Sequence, residues 1–164
     1  MLNELAVGIL YYLPAFIANG GATFVRKGKP IDFGKFFIDS NRILGDGKTL
    51  EGTLVGTTFG IFFSIGEVRI FGLYWIAIGA GVSMFALLGD IAGAFIKRRL
   101  KIERGGRAPI LDQLDFVLGA TVFLLLSRVN LTIYQIGLVC VLALILHVLT
   151  NRVAYRLKIK SVPW

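Results

Sequence analysis

Apolar residues gather in five stretches along the chain, roughly Leu5–Val25, Leu50–Ile65, Ile70–Ile96, Asp112–Ser127 and Leu131–Asn151. At about 1.5 Å per helical residue, some 20 residues cross a hydrocarbon core of about 30 Å. The first, third and fifth stretches are long enough, and the third exceeds the need. The second and fourth hold only about 16 residues each, so they span if the bilayer thins or if their ends lie beneath the surface. Ends beneath the surface would leave a polar well there. No linker, low-complexity tract or internal repeat divides the pattern. The prediction is an all-α integral membrane protein, a compact bundle of five transmembrane helices forming one membrane domain over residues 1–164.

Composition supports the bilayer. Apolar residues make up 55% of the 164 and charged ones 17%, and the mean hydropathy is +0.74. Those values exclude disorder, a collagenous repeat and a disulfide-stapled scaffold. Cys140 is the single cysteine, so no internal disulfide forms, and packing is its expected role. A net charge of +8 would suggest nucleic acid in a soluble protein. Here it belongs first to the membrane, and no nucleic-acid partner is expected.

The basic residues also set an orientation. No Lys or Arg precedes Arg26, so the first segment lacks the basic start of a cleaved signal and reads as a retained helix. All 18 Lys and Arg except Arg69 and Arg128 fall in 26–49, in 97–111 or after segment 5. The positive-inside rule makes those regions cytoplasmic, with the N-terminus outside and the C-terminus inside. Five spans fit that asymmetry, whereas four or six do not. Attraction to anionic headgroups accounts for much of the basic count. Glycines at helical spacing, such as Gly52, Gly56 and Gly60, suit close helix packing and would also leave room for a lipid chain.

Three features carry candidate chemistry. Asp90 lies two helical turns before Lys97, roughly 10 Å below the first basic side chain and on the same face. A lone salt bridge would also account for it. Asp112 and Asp115 are three residues apart, hence on one helical face. Pro109 just ahead marks a helix start, so capping and dipole roles are open to both. Three carboxylates at the same end of adjacent spans repel one another without a cation, and a hard divalent ion such as Mg²⁺ suits their oxygens.

The third feature is the run from Arg42 to Gly52, with Gly45, Gly47, Lys48 and Thr49 within it. It is not a Walker A motif, because Arg42 stands where that pattern needs glycine. Its glycines still permit close backbone approach, Thr49 starts the second helix, and the helix N-terminus with Lys48 favours an anion. A glycine-rich turn with a good cap explains the same residues. Lys97 and Arg98 are the candidates for phosphate contact, while Arg99 and Lys101 are expected to snorkel to headgroups. Asn19 and Asn151 suit helix–helix hydrogen bonds, and His147 reads as structural.

Together these elements resemble the phosphatidate cytidylyltransferase superfamily, whose pattern runs G-D-x-x-x-S-x-x-K-R, a glycine-rich basic loop, then L-D-R-x-D. Here it reads Gly89-Asp90 through Lys97-Arg98, then Arg104-Gly105-Gly106-Arg107-Ala108-Pro109, then Leu111-Asp112-Gln113-Leu114-Asp115. Ala94 stands in place of the serine and Gln113 in place of the arginine, and the usual histidine of the glycine loop is absent. Pro14–Asn19, Arg42–Thr49, Asp112–Phe116, His147–Asn151 and Pro163-Trp164 are similar to one branch, the archaeal CDP-archaeol synthases. The resemblance covers essentially the whole chain.

That resemblance implies a reaction. CTP and 2,3-di-O-geranylgeranylglycerol 1-phosphate, a prenylated glycerol phosphate lipid, would give CDP-archaeol and pyrophosphate with Mg²⁺. It implies Asp90, Asp112 and Asp115 as metal-binding and catalytic residues, with Lys97 beside them. Its nucleotide-binding set is Arg42, Leu44, Gly45, Asp46, Gly47, Lys48, Thr49 and Gly52, with Lys97 and Arg98, and Asn19 and Arg104 are further candidates. The rival classes fit less well. A transporter predicts polar residues strung through the depth of several spans, whereas here they crowd at one side. The CDP-alcohol phosphotransferase pattern needs glycine after its acids, and Phe116 follows Asp115.

Overall fold

The computed structural model describes residues 2–25, 27–103 and 105–158. Arg26, Arg104 and Pro163-Trp164 therefore lie outside the described residues. Five helices follow one another, α1 (Leu2–Ala22), α2 (Leu50–Phe71), α3 (Trp75–Arg99), α4 (Leu111–Leu126) and α5 (Ile133–Arg156). All but α4 are long and apolar enough to cross a membrane. α4 keeps the 16 residues expected of it, about 24 Å of helix.

The second segment differs from its predicted length. α2 has 22 residues, not about 16. The charged pair Glu67 and Arg69 breaks the apolar run, but Glu67 is buried and its Oε2 accepts the Trp75 indole N–H at 2.8 Å. The helix thus continues through the charges and stops at Gly72, whose φ is +90°. A polar well beneath the surface can therefore draw on a short span only at α4.

α1 touches all four other helices, α3 packs on α2 and α4, and α5 rests on α1 and α4. The core joins Tyr12, Trp75, Val82, Phe116, Val117, Leu124 and Val139 across these contacts, with Cys140 packed against them. The Tyr12 hydroxyl satisfies itself on Thr121 Oγ1 at 2.7 Å. Without hydrophobic drive between helices in lipid, small residues bring backbones together. A Cβ at Gly56 would meet the Ala18 carbonyl at 2.5 Å and Leu87 at 3.1 Å. Along the antiparallel α2–α3 seam, Gly60 faces Ser83 and Gly79 faces Ser64. The glycine stripe is filled by α1 and α3, so packing is its use.

One end of the bundle carries the segment between α1 and α2, the end of α3 and the start of α4. Backbone bonds tie the segment's two ends together, Ile31 N–H to Lys48 O at 2.9 Å and Leu50 N–H to Lys29 O at 3.0 Å. Asp32 holds its middle. This carboxylate accepts from Arg42 Nη2 at 2.8 Å, Leu44 N at 2.9 Å, Gly45 N at 2.9 Å and Gly34 N at 3.1 Å. Arg99 clamps the segment to α3, donating to the Arg42 carbonyl at 2.6 Å and the Asn41 carbonyl at 3.5 Å and pairing with Asp39 at 3.1 Å. Its guanidinium also lies over Phe37 and Phe95. Arg99 is thus a docking residue of the loop, not a headgroup snorkel, because two carbonyls, a carboxylate and two rings compete for it.

Candidate active site

Asp90, Asp112 and Asp115 meet at the loop-bearing end. Asp90 comes from the C-terminal half of α3, and the other two from the first turns of α4. Glycines set the approach of these helices. A Cβ at Gly89 would meet the Asp115 backbone, one at Gly93 the Asp115 side chain, and one at Gly119 the Phe85 backbone. Asp115 is 8% exposed. Asp90, Lys48 and Asp112 are its electrostatic neighbours.

Two of the three acids hold a lysine. Lys48 Nζ lies 2.5 Å from Asp90 Oδ2, and Lys97 Nζ lies 2.8 Å from Asp112 Oδ1. All four side chains are 19–27% exposed, so the cluster is open to solvent on one side. The salt bridge considered for Asp90 exists, but its partner comes from the segment between α1 and α2, not from α3. Capping does not exhaust Asp112. Gln113 Oε1 takes the Ile110 N–H at 3.1 Å, and Asp112 Oδ2 takes the Ala108 N–H at 3.0 Å. Asp115 forms no ion pair among the described residues; its Oδ1 accepts the Phe116 N–H at 2.7 Å.

The Arg42–Gly52 run is folded against this cluster. Thr49 caps α2, its Oγ1 accepting the Gly52 N–H at 3.0 Å. Arg42 bridges Asp32 and Asp46, each at 2.8 Å. Leu44 is buried and, with Gly45, gives its N–H to Asp32. Burial alone would raise the Asp32 carboxyl, yet Arg42 and the three N–H groups outweigh it and hold it well below the usual carboxylate range. Gly45 has φ +87°, a conformation that favours glycine. Arg98 Nη1 lies 4.0 Å from where its Cβ would be. The Nε of Arg98 is buried and has no hydrogen-bond partner among the described residues. Gly47 faces open space. Asn19 is half-buried on α1.

Sequence reasoning missed Asp32, Arg99 and a cleft of about 230 Å³ beside the acids. Asp112 forms one wall of that cleft, with Arg107 from the loop before α4 and His147, Asn151 and Arg152 from α5. The signal for Asp32 was only an Asp-Phe-Gly turn, and His147 stood alone in an apolar run.

Carboxylate oxygen is the donor a hard divalent ion takes, but among the described residues no three acidic, His or Cys side chains are gathered as a metal site. Asp115 is buried and pairs with no cation among the described residues. In the arrangement described, Lys48 and Lys97 stand as the counter-charges of the other two.

Comparison with known proteins identifies a family. The CarS-like family, described as CDP-archaeol synthase, matches residues 1–164. A CDP-archaeol synthase from Sulfolobus acidocaldarius is 58% identical over 160 residues, covering 98% of either chain. Its counterpart from Sulfurisphaera tokodaii is 58% identical over 156 residues, 95% of this chain and 94% of its own. A solved structure, described as an intramembrane enzyme for archaeal membrane lipids biosynthesis, superposes with a TM-score of 0.83 at 38% identity. It covers 87% of this chain and 91% of that one. Matched over its whole length, the chain belongs to the CarS-like family of CDP-archaeol synthases.

Proposed function

We propose that the protein transfers the CMP part of CTP to the phosphate of an unsaturated archaeal ether lipid, 2,3-di-O-geranylgeranylglycerol 1-phosphate, giving CDP-archaeol and pyrophosphate. The observation that carries this reading is the meeting of Asp90, Asp112 and Asp115 at one end of a family-matched bundle, with Lys48 and Lys97 against two of them. A nucleotidyl transfer brings one anion up to another, so the demand on the site is charge compensation more than base catalysis.

A lipid phosphate monoester has a second pKa of about 6, by analogy with phosphorylated side chains, so it is largely dianionic at neutral pH. Its oxygen would attack the α-phosphorus of CTP. A new P–O bond forms there, the bond to the bridging oxygen breaks, and pyrophosphate leaves with that electron pair. Lys48, Lys97 and Arg98 would hold the phosphates in line. Both lysines are already poised, each on a carboxylate that it would exchange for a phosphate oxygen. Asp90, Asp112 and Asp115 would hold Mg²⁺, which supplies charge neutralisation of the phosphate oxygens. The glycine loop around Gly45 and Gly47 would lie against the nucleotide.

By the positive-inside rule the basic loops support a cytoplasmic position for this end, on the side where CTP is dissolved. In a chain whose Cys140 is replaced, the variants Asp90→Cys and Asp112→Cys are then labelled by a polar thiol reagent from the cytoplasmic side only. For the reaction, purified protein is given radiolabelled CTP, Mg²⁺ and the ether lipid phosphate, and label entering the organic phase is counted. Transfer that stops with EDTA and with Asp115→Asn supports the reading. CTP that binds but is never transferred to the lipid would remove the acceptor from it.

A further inference from the structure

We infer that residues 33–38, in the segment between α1 and α2, are an interfacial anchor that seats Phe33, Phe36 and Ile38 in the headgroup layer of the bilayer the helices span. The segment folds into a short antiparallel hairpin here. Phe36 bridges to Arg42, the Phe37 N–H donates to the Asn41 carbonyl at 2.8 Å, and the Ser40 N–H closes the turn on the Phe37 carbonyl at 3.1 Å. Phe37 finds its contacts inside the protein. Its ring meets that of Phe95 at 5.4 Å and lies 4.8 Å from the Arg99 guanidinium. Its neighbours stay uncovered, with Ile38 91% exposed, Phe36 65% and Phe33 58%. Such a cluster of large apolar side chains marks a surface that is covered by something else.

Depth identifies the cover. The apolar run of α3 ends at Ile96, directly before Lys97, so Phe95 belongs to its last apolar turn. Phe95 shares a helical face with Ala92 and Leu88, three and seven residues earlier. Both of those are exposed. On a helix that crosses a membrane, an exposed apolar face is the one that meets lipid. Phe37 therefore docks where the lipid-facing stripe of α3 reaches the headgroups, and Phe36 and Ile38 are its chain neighbours. A headgroup layer about 5–7 Å deep takes in residues one peptide unit away.

Charge agrees with that depth. Lys27, Lys29 and Lys35 are exposed around the same turn, and Lys29 Nζ lies 5.5 Å from the centre of the Phe33 ring. The acids beside them are matched within the protein, Asp39 by Arg99 at 3.1 Å and Asp32 by Arg42 at 2.8 Å. Basic side chains set around aromatic and aliphatic ones are what an anionic headgroup layer attracts. The same segment carries Lys48 to Asp90, so the bilayer steadies it from one side as Arg99 does from α3. The anchor needs only a bilayer at this end of the bundle, and it stands or falls separately from the proposed transfer.

The test is power-saturation EPR on the full chain, with Cys140 replaced and a nitroxide on Ile38→Cys, in vesicles of equal phosphatidylglycerol and phosphatidylcholine. A side chain so exposed can be exchanged without moving the melting temperature. Collisions with oxygen should exceed those with a water-soluble nickel chelate, at a depth of about 5 Å or more. Adding Phe36→Glu should raise the nickel collision rate severalfold. Nickel collisions that outnumber those of oxygen would put the turn in water and overturn the anchor. A label shielded from both reagents would mean that protein covers the turn, a second copy or another chain, and would overturn it too. An unchanged depth with Phe36→Glu would show the nitroxide itself inserting, and the native residues would then be no anchor.

Discussion

Gly93 on α3 lies directly against the carboxylate of Asp115 on α4, and its missing side chain is what lets that carboxylate sit beside Asp90. A Cβ there would come within 3.0 Å of both Cβ and Cγ of Asp115. Overpacking of this kind costs about 1–3 kcal/mol and moves its neighbours. Gly93→Ala should therefore displace the acid and lower transfer at least about tenfold, a loss larger than its effect on the melting temperature. Gly137→Ala, which meets open space on α5, should change neither. Equal activity in the two variants would show that the placement of Asp115 is not critical.

Asp32 never faces the acids, yet the loop that carries Lys48 hangs on it. Its side chain is fully buried, while that of Arg42 is 25% exposed. Removing one partner of a buried pair is costly, and here about 3 kcal/mol is expected for Asp32→Asn. That variant should raise the KM for CTP more than it lowers kcat, with Asp32→Glu intermediate. The pH dependence has a definite sign. A carboxyl depressed in the folded state gives stability that is full above its ordinary value of 3.8 and is lost as pH falls through the lower, folded one. Hydrogen exchange of residues 29–48 should accelerate below about pH 4 in the wild type, and be fast at every pH in Asp32→Asn.

Lys48 and Asp90 predict opposite effects on nucleotide binding. Lys48→Met removes a phosphate donor and should weaken CTP binding about tenfold. Asp90→Asn releases Lys48 from its carboxylate, so CTP should bind without Mg²⁺ at least as well as in wild type, while transfer is abolished. Isothermal titration in EDTA, with the transfer assay beside it, separates the two. Weaker metal-free binding in Asp90→Asn would mean that the pair is a structural brace and Lys48 never leaves it.

The parts of the molecule that were legible in the sequence are those where chemistry contradicts the solvent. Asp90, Asp112 and Asp115 stand out because carboxylates in apolar surroundings need a reason, and five helices follow from hydropathy alone. The same logic misplaced the end of α2. Glu67 looks like a boundary until the indole of Trp75, eight residues on, is seen to accept the helix's continuation by donating to that carboxylate. Asp32 was illegible for a different reason. An aspartate in a polar loop is unremarkable in sequence, and its partners at Arg42, Leu44 and Gly45 are recognised only once the loop has closed on itself. The cleft was hidden likewise, because Arg107 and Arg152 are 45 residues apart and each reads alone as a surface charge.

The α2–α3 seam offers a test of whether the glycines are there for packing or for a lipid chain. Gly60 faces Ser83, with a Cβ at position 60 lying 2.7 Å from that of Ser83 and 2.9 Å from the Pro14 carbonyl. Gly60→Ala should therefore lower stability by about 1–3 kcal/mol, read as a drop in melting temperature in detergent. Adding Ser83→Gly removes the opposing side chain and should restore part of the loss, though not all, since the Pro14 carbonyl stays. A chain-binding groove makes a different prediction. There, Gly60→Ala would leave the melting temperature alone and raise the KM for long-tailed acceptors, and Ser83→Gly would bring no recovery. Because the seam is filled by its own residues, with Ser64 facing Gly79 one turn away, recovery of stability is the expected outcome.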